Sequence, residues 1–462
     1  MTTAVVVGLG CRPGVGRDEI LGLIAAALAE AGLPANAIAQ LSTVDSRAAE
    51  PGVLAAAQGL GIALVTYPAE QLDVVEVPHP SPMVRHAVGT ASVAEAAALA
   101  GGGEIIVPKR KSELATVAIA TLPATFDLSH HGDSEVGDGL VDLTVNVRAD
   151  APPAWLRAHL VAALDDISAY PKTTEARTAV AARHGRRPEE VLLTAGAAEA
   201  FVLLARTTTA RRIVVVHPQF TEPEAAMLAA GHQAERVILD ASKGFTLYPA
   251  AIPDDADLVM VGNPTNPTSV LHRADLLLRL AKPGRMLVVD EAFADTVPGE
   301  PESLAGLGLP GLVVLRSLTK TWGLAGLRAG YLLASPDIVS TLERAQPLWS
   351  VSTLAAVAAA VCSTPAAVAE ARQAAVMLAD HRSYLVDELR ALDGVFVPVE
   401  PASSFVLIRV VNGLRVRERL RERGFAVRRG DTFPGLGPDW LRIAVRDPAT
   451  TEAFVKVLAE VL

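Results

Sequence analysis

Lysine is scarce in this chain of 462 residues: seven lysines stand against 34 arginines among its 41 basic residues. Arginine carries the generic positive charge, so a lysine set among glycines and hydroxyls is more informative than usual. Cysteine is nearly absent. Cys11 and Cys362 lie far apart and form no CxxC pair, which argues against a disulfide framework or a thiolate zinc site. Aromatics make up only 4%, there is no basic block, and the net charge is −10, so neither a nucleic acid nor an anionic membrane is expected as partner. No apolar run approaches the roughly 18 residues of a membrane-spanning helix. The opening MTTAVVVGLG has no basic lead and reads as a buried strand running into a glycine turn. A cytoplasmic protein is expected.

With 50% hydrophobic and 20% charged residues, the chain is a folded one, and its length predicts two or three domains. Residues 1–122 alternate short apolar runs with alanine-rich helical patterns: strands at 4–8, 62–67, 104–108 and 116–121, and a helix over 17–33. Such alternation predicts a small α/β domain. Periodicity is lost over 123–139, where Gly, Asp, Ser and His gather, and a linker is expected there. From 140 to 462 a longer α/β pattern follows. A large part is expected over about 172–363 with a mostly parallel sheet, and a small α/β part from 140–171 plus 364–462.

In the large part, successive β-rich runs end in polar turns: LLTAGAAEA, VVVHPQF, VMVGNPTNPTS, LVVDEAF and VVLRSLTK. Open α/β sheets place their functional residues at the carboxyl ends of strands. Read together, these ends form a set. Gly196, Ala197 and Ala198 offer backbone N–H groups at a helix start, suited to phosphate. Phe220 can cover a flat ring, Asn266 is a neutral donor, and Asp290 is a carboxylate at the end of a very apolar strand. Ser317, Thr319, Lys320 and Arg328 add two hydroxyls, an amine and a guanidinium. This set suits a phosphorylated pyridine aldehyde: Lys320 as the amine nucleophile, Asp290 facing the ring nitrogen, Asn266 at the ring oxygen, and the rest on the phosphate.

The segments YP (170–171), GAAEA, HPQF, NPTNPTS, DEAF and SLTKTWGLAGLRAGY resemble the fold-type I pyridoxal-phosphate enzymes, in the branch of histidinol-phosphate aminotransferases and threonine-phosphate decarboxylases. The resemblance implies pyridoxal 5'-phosphate as cofactor, Lys320 and Asp290 as catalytic residues, and a homodimer in which Tyr170 reaches the neighbouring subunit's phosphate. It further implies Asn146, Arg428 and Arg442 as binders of a phosphorylated amino-acid substrate. Two positions depart from the pattern: Phe293 stands where many relatives have tyrosine, and Ser269 where glycine is usual. The lead-in HHGD with LTVNVR is similar to the HGGN and DFSxNxNP segments of the decarboxylases; His131 and Gly132 match, whereas Asp133 and the residues after Asn146 do not.

GLGCRPGVG (8–16) is not a dinucleotide loop, because a GxGxxG match from Gly8 would need glycine where Pro13 stands. Together with STVDSRAAEPGV, VPHPSPMVRHAVGTASVAEAAAL and VPKRKS, it resembles the C-terminal domain of cobalt-precorrin-5A hydrolase of cobalamin biosynthesis. Arg12, Ser81, Arg85, Lys109 and Arg110 suit a carboxylate-fringed ligand, and the resemblance implies a corrinoid intermediate. Two domains thus point to one pathway, which favours L-threonine O-3-phosphate decarboxylation. An aminotransferase with the same cofactor site, or a corrinoid-binding protein with an idle catalytic domain, are the alternatives. No metal ligand set is expected in the protein itself, and no basic recognition helix points to a transcription regulator.

Overall fold

The computed structural model describes residues 4–100, 103–121, 126–130, 132–137, 139–148 and 152–462. The chain divides into two compact units, Met1–Thr125 and Phe126–Leu462.

In the first unit, strands β1 (Val5–Cys11), β2 (Ile38–Val44), β3 (Ala63–Tyr67), β4 (Ile105–Lys111) and β5 (Ala115–Thr121) form one sheet in the order β3-β2-β1-β5-β4. β1, β2 and β3 run parallel, and β5 pairs antiparallel with β1 and β4. β2 was not expected: its sequence IAQLSTV interrupts the apolar run with Gln and Ser. Two glycines, Gly8 within β1 and Gly52 in the helix Pro51–Leu60, serve close packing. A β-carbon on Gly8 would lie 2.0 Å from the Ala94 carbonyl oxygen, and one on Gly52 would lie 2.1 Å from that of Val15.

The second unit holds two sheets. Its first strand, β6 (Val141–Leu143), joins the smaller one. The larger comprises β7 (Val191–Ala195), β8 (Ile213–His217), β9 (Ala234–Ile238), β10 (Leu258–Gly262), β11 (Met286–Asp290), β12 (Leu312–Ser317) and β13 (Ala329–Leu333), in the order β7-β13-β12-β11-β10-β8-β9. β13 is antiparallel to both of its neighbours, and the other pairings are parallel. The runs IVVVH, LVMVG and LVVLRS are buried throughout, as strands covered on both faces must be. The smaller sheet adds β14 (Val395–Phe396), β15 (Phe405–Val410), β16 (Phe425–Arg429) and β17 (Trp440–Ala444), in the order β14-β15-β17-β16-β6.

Two expected boundaries are corrected. From Phe126 on, the segment expected as linker belongs to the second unit: Thr221 Oγ1 donates to the Leu128 carbonyl at 2.7 Å, and buried Glu135 binds Arg428 and Arg417. Its polar residues are there to make long-range ion pairs, so apolar periodicity could not reveal it. Residues 152–171 were expected with the small part, but the helix Ala154–Ala162 inserts Leu156 into the core of the large sheet. The other boundary runs through the helix Pro365–Arg390, whose Ala367 and Ala371 pack on the large core and whose Leu385 and Leu389 pack on the small one.

Candidate active site

The carboxyl edge of the large sheet gathers the expected residues by register. Gly262 pairs with Asp290, Asp290 with Leu315, and Ser317 with Gly330. Because β13 runs backwards, Arg328 at its start reaches the same edge as Gly196, Phe220, Asn266, Asp290 and Lys320 at the ends of their strands. A cavity of about 490 Å³ opens there. It is lined by Gly196, Ala197, Ala198, Phe220, Asn266, Asp290, Ser317, Thr319, Lys320 and Arg328, and from the small-sheet side by Asn146, Arg428 and Arg442.

At one end of the cavity, Gly196 caps the helix Ala197–Thr207 with φ at +76°, and a β-carbon on it would lie 2.7 Å from a guanidinium nitrogen of Arg328. Gly330 is equally constrained, since its β-carbon would meet the Ala197 nitrogen at 2.9 Å. Arg328 itself has φ at +54°. Together these put a guanidinium and the N–H groups of a helix start on one small volume, an anion cradle. Ser317 Oγ accepts from the Thr319 N–H at 3.2 Å.

At the centre, the Asp290 side chain faces the cavity while the protein body encloses it. Burial pushes its pKa from 3.8 up to about 6, against a 3.0 Å hydrogen bond from the Ala292 N–H and the nearby positive charge of Lys320. The Lys320 amine lies 5.3 Å from the centre of the Phe293 ring, and Phe293 packs edge-on against Phe405. With no phenol at 293, the ring gives the ammonium a π face rather than a hydrogen bond. Ser269, the other departure, is fully buried with φ at +61°, the conformation that favours glycine. Its hydroxyl accepts from the Ser403 N–H at 2.8 Å, a bond that glycine would not make.

The roof comes from the small sheet. Arg428 and Arg442 are cross-strand partners on β16 and β17. Arg428 donates to Glu135 at 2.6 Å, to the His130 carbonyl at 2.8 Å and to Thr432 Oγ1 at 2.7 Å. Arg442 donates to two neutral oxygens, Asn266 Oδ1 at 2.5 Å and the Thr144 carbonyl, and its Nε is buried without a partner among the described residues. Burial, with Arg428 alongside, lowers its pKa from 12.5 to about 9. Like charges placed opposite one another in a sheet are unfavourable unless an anion joins them. Asn146 is buried too, and its Oδ1 has no partner among the described residues.

Tyr170 is not brought to the cavity: it is 70% exposed and stacks on Trp349 with ring centres 4.0 Å apart. His131 lies outside the described residues. Sequence reasoning missed Glu135, His130 and Phe433, the last two of which line the cavity. It also missed a buried ion-pair cluster behind Asp290, in which Arg316 joins Glu291 at 3.1 Å and Asp295. The acidic DEAFAD run is the signal that could have suggested this cluster. In the first unit, Arg85 is paired with Asp73 at 2.9 Å and Arg110 with Glu30. Lys109 Nζ donates to the His79 carbonyl at 2.8 Å, Ser81 Oγ accepts from the Val84 N–H at 3.4 Å, and Arg12 is exposed. Three of the five residues expected to meet a ligand there are therefore engaged through side-chain nitrogens within the unit.

Residues 138–462 match the family Aminotransferase class I and II, and residues 5–120 match Cobalamin synthesis G C-terminus. The chain is 51% identical over 320 residues to a histidinol-phosphate aminotransferase of Mycobacterium tuberculosis, covering 69% of this chain and 86% of that protein. It is 30% identical over 336 residues to the threonine-phosphate decarboxylase of Salmonella typhimurium, covering 70% and 92%. Among solved structures, the L-threonine-O-3-phosphate decarboxylase from Porphyromonas gingivalis superposes with a TM-score of 0.61 at 26% identity, over 70% of this chain and 99% of that one. The cavity fits the cofactor of such enzymes: the cradle at Gly196 and Arg328 has no room for a β-carbon, Asp290 can face a pyridine nitrogen, and Lys320 supplies the amine. The chain belongs to the class I and II aminotransferases, pyridoxal-phosphate-dependent enzymes of fold type I, and bears ahead of that unit a domain of the cobalamin synthesis G C-terminal family.

Proposed function

We propose that this enzyme decarboxylates L-threonine O-3-phosphate to 1-amino-2-propanol O-2-phosphate. The observation that carries the reading is the union, in one chain, of a cobalamin-synthesis domain with a catalytic unit 30% identical to a threonine-phosphate decarboxylase. The cross-strand pair Arg428 and Arg442 supports it: Arg428 already has Glu135, but Arg442 bonds only to neutral oxygens, and an anionic substrate would supply the counter-charge it lacks.

The roles follow from placement. Gly196, Ala197, Ala198, Ser317, Thr319 and Arg328 would hold the cofactor phosphate, with Phe220 and Asn266 placed for its ring. The bound pyridoxal phosphate supplies an electron sink for negative charge at the substrate α-carbon. Asp290 holds the partner charge at the ring nitrogen; its raised pKa reflects a buried carboxylate that a cation would relieve. Arg442, Arg428 and Asn146 orient the substrate, and the angle they give its carboxylate selects which bond breaks. Lys320 would hold the cofactor through its amine and is the group placed to deliver a proton to the substrate α-carbon. Tyr170 would act across a homodimer, and the N-terminal unit would bind a corrinoid intermediate.

A second reading, an aminotransferase, is favoured by the 51% identity to a protein named for that activity. Two incubations separate them. The protein with L-threonine O-3-phosphate should release CO₂ and the phosphorylated amino alcohol in equal amounts. Absence of CO₂, with amino-group transfer from histidinol phosphate to a 2-oxo acid, would make it the aminotransferase.

A further inference from the structure

His79 sits in the segment between the first unit's helices Ala69–Asp73 and Pro82–Val88, held between Pro78 and Pro80. Its grip is unusual for a residue on a loop. Glu95, whose side chain is fully buried, accepts from His79 Nδ1 at 2.8 Å and from the His79 N–H at 3.2 Å. Lys109 Nζ donates to the His79 carbonyl at 2.8 Å, and the Lys109 N–H donates to the same carboxylate at 3.1 Å. The register shift of β4 between Val107 and Arg110 turns that N–H inward. The His79 N–H, the Lys109 N–H and His79 Nδ1 all converge on this one carboxylate, so Nδ1 presents its proton to Glu95.

The imidazole is thus fixed at its backbone and at Nδ1, yet its side chain is 60% exposed and no hydrogen bond from the described residues engages Nε2. A carboxylate behind Nδ1 with a lone pair forward on Nε2 is the arrangement that orients metal-ligating histidines. Among the described residues, no cluster of three or more His, Cys, Asp or Glu side chains could hold an ion. A single imidazole can serve only a metal that arrives with its other ligands in place. Val74 and Met83, 84% and 80% exposed in the same stretch, offer apolar surface suited to a flat macrocycle.

We propose that His79 Nε2 is an axial ligand for the cobalt of a corrinoid held by the N-terminal unit, oriented by Glu95. The inference rests on the reading that this unit binds a corrinoid. The step is a dative bond: the Nε2 lone pair displaces an axial water, and the metal keeps its oxidation state. The probe is cob(II)inamide, a cobalt corrinoid without its own nucleotide base, added to the full chain. Binding is read by equilibrium dialysis and coordination by electron paramagnetic resonance, in which one axial nitrogen gives a triplet splitting.

The wild type is expected to bind and show the triplet. His79→Ala, a change on an exposed side chain, should lose the triplet and bind at least about tenfold more weakly, and Glu95→Gln should keep it with about tenfold weaker binding. Binding without a triplet, or a triplet that survives in His79→Ala, overturns the ligation and leaves the corrinoid reading standing. No binding at all overturns both.

Discussion

Asn266 and Arg442 are joined by a 2.5 Å hydrogen bond across the cavity, the amide from the turn after β10 and the guanidinium from β17 of the smaller sheet. The amide oxygen is occupied by arginine, which leaves the NH₂ as the group Asn266 has to offer a ligand in the cavity. On the proposed assignment, a residue placed for the cofactor and one placed for the substrate are thereby coupled.

Arg442→Lys should therefore disturb both. Lysine cannot reach Asn266 Oδ1 and the Thr144 carbonyl together with a planar fork. A lost charged hydrogen bond is worth roughly 1.5–3 kcal/mol, so kcat/KM for the phosphorylated substrate should fall about 10- to 100-fold. Steady-state kinetics on the holoenzyme, with cofactor affinity measured separately, tests this; unchanged kcat/KM would remove Arg442 from the substrate site.

Asp290 makes the cofactor-free protein sensitive to pH. Its folded pKa of about 6 lies above the ordinary 3.8, so the native state binds more protons than the unfolded state in that interval. Stability should fall as pH rises from 4 through 6, by about 3 kcal/mol for a shift of this size. Asp290→Asn should abolish this dependence and raise the melting temperature of the cofactor-free protein at pH 8, while destroying activity. Urea titrations and thermal melts at several pH values, with and without pyridoxal phosphate, measure it.

Ser269 offers a test of local strain. Ser269→Ala keeps the left-handed backbone and strips the Ser403 N–H of its acceptor, at a cost of about 1–3 kcal/mol. Ser269→Gly loses the same bond but relaxes the backbone by about 1–2 kcal/mol. Alanine should be the more damaging change in chemical denaturation, reversing the usual ranking of the two residues.

Glu135 anchors Arg428 and Arg417 at 2.6 and 3.1 Å. Glu135→Ala leaves the Arg428 guanidinium buried without its counter-charge and should destabilise the catalytic unit by about 3–5 kcal/mol. The denaturation midpoint would show it. A midpoint like that of the wild type would return residues 126–139 to the role of a tether.

What was legible in the sequence was local. Runs such as LVVDEAF and VVLRSLTK announce a buried strand and, at its end, the polar residues that gather at one sheet edge. β13 was hidden because GLAGLRAGY reads as a flexible turn, although Gly330 is there to let the strand pass the Ala197 nitrogen. Glu135 was hidden because its partner Arg428 lies 293 residues away, and no periodicity spans that distance. Tyr170 was recognisable only by resemblance, since nothing within the chain brings it to the cavity.

The reversed strand β13 has a consequence for how such an enzyme can change. Its neighbour β12 leads into Lys320, β13 starts from Arg328, and the Leu318 N–H closes the intervening loop on the Ala329 carbonyl at 3.1 Å. Amine and guanidinium are thus two ends of one clasp on the large sheet, whereas Arg428 and Arg442 ride on the other sheet. If Arg428 and Arg442 meet the substrate as proposed, drift in the second sheet can retune what is accepted while the clasp stays intact, and the Arg442–Asn266 bond is where such drift would be felt on the cofactor side.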